Sequence, residues 1–87
     1  MKEVVFSKHS LEQLEDRGAT QEEIKIAIQI GERMSVEKGR IAFRKNFIFN
    51  SIWKGKYYKI KQVMPIVKED INQDIIITVY VFYFGGE

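Results

Sequence analysis

Between Lys38 and Lys61 this 87-residue chain carries eight basic side chains and no acidic one: Lys38, Arg40, Arg44, Lys45, Lys54, Lys56, Lys59 and Lys61. Phe43, Phe47, Phe49, Trp53, Tyr57 and Tyr58 interleave with them. Lysine and arginine neutralise phosphates, and aromatic faces offer a resting place for unstacked bases, so this mixture suits single-stranded RNA. Arg40, Lys45, Trp53, Lys59 and Lys61 are the candidate nucleic-acid-binding residues. The competing structural reading makes half of the aromatics core and the lysines blunting groups on sheet edges.

A second chemistry-bearing residue is the single histidine, His9. It falls at the second position of an expected helix, where unpaired amides and the positive helix end disfavour an added cation. A neutral imidazole there suits a general base. At helical spacing His9, Gln13 and Arg17 form one polar row. Read structurally, His9 is an ordinary surface residue near a helix start. A third set, Arg40, Arg44, Lys61, Thr78 and Tyr80, belongs to strands. Arginine clamps phosphate with two parallel donors, and a hydroxyl from a neighbouring strand completes such a site. Cross-strand pairing on a solvated face is the plainer account.

Several function classes drop out. The chain has no cysteine, and one histidine falls short of the four Cys or His ligands of a usual structural zinc site, so no metal and no cofactor is expected. A glycine-rich phosphate loop, a carboxylate cluster and a Ser-His-Asp signature are all missing. The N-terminus meets a charged helix too soon for a signal peptide, and the apolar run Ile75 to Phe84 falls well short of the roughly 20 residues of a membrane span. No membrane partner is expected, and the expected location is the cytoplasm of a prokaryote or phage-like element. Net charge is only +2, but residues 1–32 hold four basic and seven acidic groups while residues 33–87 hold ten and five. Charge is thus segregated into the second part of the chain.

The elements that must position these groups follow from patterning. At 45% hydrophobic and 30% charged residues, 87 residues predict one domain, 1–87. Ser7 is a natural N-cap for a helix over 8–17, with Leu11 and Leu14 as its buried stripe and Gly18 as its stop. Thr20-Gln21-Glu22-Glu23 is a capping box opening a helix over 20–31, with Ile24, Ala27, Ile28 and Ile30 as its apolar set. Ile24, Ile26, Ile28 and Ile30 also alternate as in a strand, but the box, the acidic first turn and Gly31 agree on helix. A short strand at 34–37 and a turn at Glu37-Lys38-Gly39-Arg40 precede strands over about 40–49, 57–68 and 75–84. Lys54-Gly55-Lys56 and Asn72-Gln73-Asp74 supply the later turns. Pro65, lacking an amide, is expected at a bulge or on a sheet edge. The fold class is therefore α+β, two helices packed on one face of a three- or four-stranded antiparallel sheet.

Phe6-Ser7-Lys8-His9-Ser10-Leu11, Asp16-Arg17-Gly18 and Thr20-Gln21-Glu22-Glu23-Ile24 resemble the opening of family 4258 of the domains of unknown function. Ile77-Thr78-Val79-Tyr80 resembles the segment that ends its sheet. Gln13 stands where members often carry arginine, and Leu14 where methionine is common. The family looks like a member of the fold group containing barnase, EndoU, the tRNA-cleaving colicins and RelE-type toxins. The resemblance implies a metal-independent endoribonuclease or ribonuclease-like toxin acting on RNA, neutralised by a cognate antitoxin. By position it makes His9, Arg17, Arg44, Thr78 and Tyr80 the candidate catalytic set. Two other readings stay open: a non-catalytic RNA or DNA binder using the positive face, and a protein-interaction module, with the oligomeric state undecided.

Overall fold

The computed structural model describes residues 2–86. Its first helix, α1 (Lys8–Arg17), starts where Ser7 leaves extended backbone and its hydroxyl accepts from the Ser10 amide at 3.1 Å. Gly18 ends it in the left-handed region, at φ +77. A Cβ there would lie 2.7 Å from the Trp53 ring, so the close approach as well as the dihedral requires glycine. The capping box at the head of α2 (Gln21–Ile30) is complete, with reciprocal Thr20–Glu23 bonds of 3.0 and 3.1 Å.

The sheet departs from expectation. Among the described residues it has five strands, not three or four, and it is mixed: β1 (Glu3–Phe6), β2 (Glu32–Val36), β3 (Arg40–Trp53), β4 (Lys56–Glu69) and β5 (Gln73–Phe84), in the order β1-β5-β4-β3-β2. β1 is the strand no local pattern announced, while β2 is the short strand expected at 34–37, shifted to Glu32–Val36; the two lie at the opposite edges. β1 runs parallel to β5, because α1, α2 and three strands intervene before the chain returns beside it. β3 extends to Trp53, past the expected stop near residue 49. A register shift between Ile48 and Ser51 absorbs one extra residue there.

Both helices cover the same face. α1 packs on β5 and α2 on β3 and β4. Leu14, Ala19, Ile24 and Ala27 meet Phe43, Val63, Val67, Ile76 and Val79 in one core. Complete burial of an isoleucine such as Ile24 contributes roughly 1.5–3 kcal/mol. Leu11 and Ile30, both expected in the buried stripes, are exposed instead. The buried side of α1 is largely polar, Ser10-Gln13-Leu14, because Gln13 meets β5 at Thr78 and Val79, beyond the stretch that β1 pairs with. Gln13 Oε1 accepts from the Val79 amide and from the Thr78 hydroxyl, both at 2.8 Å, and Arg17 donates to the Val79 carbonyl at 2.6 Å. These bonds satisfy backbone groups that an open edge would leave for another strand.

Pro65 stands in the central strand, not on an edge. Its partner Val79 turns its amide and carbonyl toward α1, so that pair exchanges no backbone bond. On the other side the β3–β4 pairing is interrupted between Ala42–Ile66 and Lys45–Val63, where proline has no amide to give. One step further, Ile66 pairs with Thr78 but Val67 with Ile76, which makes Ile77 the extra residue of a bulge.

Two hairpins close on Lys-Gly turns with both central residues at positive φ, Lys38-Gly39 at +64 and +70 and Lys54-Gly55 at +50 and +85. That geometry favours asparagine over lysine at the first position. Lys38→Asn is expected to raise stability by about 0.5–1 kcal/mol in urea unfolding. A fall in stability would mean that the Lys38 side chain stabilises the turn. Among the described residues, no helix is long and apolar enough to cross a membrane.

Candidate nucleic-acid interface

With both helices on one side, no element among the described residues covers the opposite face of the sheet. Strand alternation sends Phe43, Val63 and Val79 to the core and their neighbours to that bare face. On β5 these neighbours are Tyr80, Phe82 and Phe84, exposed to 42, 45 and 42%. Tyr80 and Phe82 stack with centroids 6.3 Å apart and planes at 14°. Beside them on β4 stand Met64, Gln62 and Ile60, paired in register with Tyr80, Phe82 and Phe84. Gln62 donates to the Asn46 side-chain oxygen on β3 at 2.8 Å, and Ile48 is 83% exposed. Arg17, anchored on the Val79 carbonyl, holds its guanidinium 5.7 Å from the centre of the Tyr80 ring. A fixed cation therefore sits next to the aromatic row.

At one end of this face lies a cleft of about 350 Å³ between the β2–β3 turn and β5. Glu37, Lys38 and Arg40 line it from the turn, Ile66 from β4, and Thr78 and Tyr80 from β5. The turn builds its rim: Val36 pairs with Arg40, and the Arg40 amide donates to the Glu37 carbonyl. Among the described residues, the side chains of Glu37, Lys38 and Arg40 make no ion pair or hydrogen bond with protein groups. The bulge at Ile77 brings the Thr78 hydroxyl to Gln13 at the same end.

The residues singled out from sequence are thus divided. Arg40, Thr78 and Tyr80 meet in the cleft, and Arg17 reaches Tyr80 from α1. Arg44 shares the bare face but is paired with Glu32, its Nε donating at 3.0 Å. His9 is exposed in the first turn of α1 and does not line the cleft. Lys45 turns to the helix side with its ammonium 5.6 Å from the Phe47 ring centre. Trp53 stacks on Tyr83 at 5.1 Å, within an aromatic group completed by Phe49 and Tyr58. Tyr83 donates to the Arg17 carbonyl at 2.7 Å, and burial, helped by the Glu23 charge, pushes its phenol up to about 12. Lys59 is exposed. Lys61 is 6% exposed, its ammonium bound to Gly18 O and Glu23 at 2.9 Å.

On the helix side, Arg33 crosses the Phe43 ring to reach Glu69 with bonds of 2.7 and 2.9 Å. The bond raises the Arg33 guanidinium and holds the Glu69 carboxyl below its ordinary value. Sequence reasoning missed Glu37, Phe82 and Phe84 as site residues. A signal existed for the last two, because Tyr80, Phe82 and Phe84 alternate with Val79, Val81 and Tyr83. Glu37 lies one residue before the acid-free block, and its sequence reads only as the end of a short strand and the start of a turn. Among the described residues, no group of three or more His, Asp or Glu could hold a metal ion. No protein-family model, curated protein or solved structure matches the chain.

Proposed function

We propose that this protein binds single-stranded RNA across the bare face of its sheet. The observation that carries the reading is the exposed Tyr80–Phe82–Phe84 row, its first two rings stacked, flanked by Arg40 and Lys38, which have no side-chain partner among the described residues, and by the anchored Arg17. Bases stack on such rings whatever their identity, and the cations neutralise the phosphates between them. The resemblance of the N-terminal segment to family 4258 points to RNA rather than DNA. A protein partner such as a cognate antitoxin is the second reading, favoured by the exposure of Ile48 and Ile52, which no base requires.

Salt separates the two. With three or four phosphate contacts, log affinity for a labelled single strand is expected to fall with log salt at a slope of about −2 to −3. Arg40→Ala should make that slope shallower by about 0.7, one contact's share. Fluorescence anisotropy across a salt series measures both. An affinity indifferent to salt rejects the RNA reading.

A further inference from the structure

We infer that the open edge of β5 docks a second copy of this chain, strand against strand, about a two-fold axis at Phe82. β1 pairs with β5 only as far as Ile76, and α1 satisfies the same edge only as far as Val79, through Gln13 and Arg17. Val79 turns its amide and carbonyl away from β4, so at the two-residue period Val81 and Tyr83 turn theirs the same way. Among the described residues, no group bonds to these outward amides and carbonyls. The Gly18 carbonyl accepts from Lys61 on β4, which draws the end of α1 inward over the sheet and off the edge. The tail after Phe84 turns the other way too: a Cβ on Gly85 would lie 3.2 Å from the Lys59 Cβ, and Gly86 lies against the Tyr57 backbone.

Charge and symmetry identify the occupant. The other open edges carry features that discourage pairing. β1 has four residues and starts at Glu3, and β2 carries Glu32 and Arg33. The stretch of β3 beyond β2 is broken by its register shift and flanked by Lys45 and Lys54. From Ile75 to Phe84, β5 has neither charge nor proline. Its end, Tyr80-Val81-Phe82-Tyr83-Phe84, places a ring at each end and at the centre, so it can meet itself antiparallel. Val81 of each copy then exchanges two backbone bonds with Tyr83 of the other. On the bare side Phe82 faces Phe82 and Tyr80 faces Phe84, aromatic cross-strand pairs with no like charges opposed. Two five-stranded sheets become one, and their bare faces become continuous. The contact is smaller than the roughly 800 Å² per partner of a standard interface, so the dimer is a weak one, half formed at about 10–100 μM.

The test is sedimentation of the whole chain without nucleic acid, from about 1 μM to about 1 mM. The mass should rise from monomer to dimer and stop there, because a two-fold contact closes on itself. Phe82→Lys opposes two like charges at the axis and should weaken the dimer by about tenfold or more. Phe82 is 45% exposed, so thermal unfolding of that variant should stay close to wild type. Phe82→Cys puts one thiol into a cysteine-free chain, facing its own copy at a Cα spacing of about 4.5 Å, within disulfide range. It should oxidise to a linked dimer about tenfold faster than Ile48→Cys, whose site on β3 is more exposed, at 83%. A monomer at about 1 mM, or growth past the dimer, overturns the inference. A dimer untouched by Phe82→Lys, or equal oxidation of the two cysteine variants, overturns the β5 edge as its contact. None of these results alters the RNA-binding reading, which the salt series tests separately.

Discussion

Lys61→Ala is expected to cost the fold about 3–5 kcal/mol, because it strips the partner from a carboxylate and a carbonyl in a nearly dry site. The Lys61 side chain is 8% exposed and Glu23 19%, and their charges stand 2.8 Å apart. The same ammonium satisfies the Gly18 carbonyl at the end of α1 and lies 5.4 Å from the Phe49 ring centre. One side chain of β4 thereby ties the end of α1 to the capping box that begins α2, since Glu23 is also the residue reaching back to the Thr20 amide. Replacing both partners, Lys61→Met with Glu23→Gln, removes the charges together and keeps an oxygen for Thr20. That double variant should recover about half or more of the lost stability, as apolar replacements of buried pairs do. Urea unfolding of the two single variants and the double measures the coupling. A loss below about 1 kcal/mol for Lys61→Ala would show that water reaches the pair freely. RNA affinity per folded molecule should be unchanged, since Lys61 lies under the helices.

Lys61 also shows why a sequence yields some of this molecule and withholds the rest. Local chemistry was readable where it closes on itself. Ser7, Gly18, the Thr20–Glu23 box and the two Lys-Gly turns act within four residues of themselves, and the structure has them where the sequence puts them. Properties set by distant partners were not. β1 is a four-residue strand whose pairing with residues 73–76 closes nearly the whole chain, so no local pattern announces it. Leu11 and Gln13 exchange expected roles because α1 meets an edge whose backbone needs a hydrogen-bond acceptor, and Gln13 supplies it. Basic residues alternate in the sequence with no mark of which face each will take. In β4 the two-residue period buries Lys61 with Val63, while Arg40, on β3, reaches the opposite face. The aromatic row was legible in principle. Its period matches the strand, but recognising it as exposed requires knowing that both helices lie on the other side.

That row carries the largest expected functional effect. Tyr80→Ala with Phe82→Ala should weaken binding to single-stranded RNA by roughly 30- to 25,000-fold, from about 1–3 kcal/mol for each of two stacking rings. Both rings are exposed to more than two fifths, so their removal leaves the Leu14–Ile24–Val79 core intact. Unfolding midpoints should move only as far as a lost cross-strand contact allows, about 1 kcal/mol. Tyr80→Phe separates the ring from its hydroxyl. It keeps the ring under Arg17 and should hold affinity within about twofold, since stacking needs only the π face. It removes only the hydroxyl, which stacking does not use. Equal loss of binding in Tyr80→Phe and in the double alanine variant would mean that the hydroxyl, not the ring, holds the nucleic acid. Unchanged affinity in the double variant would leave the bare face with no part in RNA binding and would turn its exposed apolar surface back toward a protein partner.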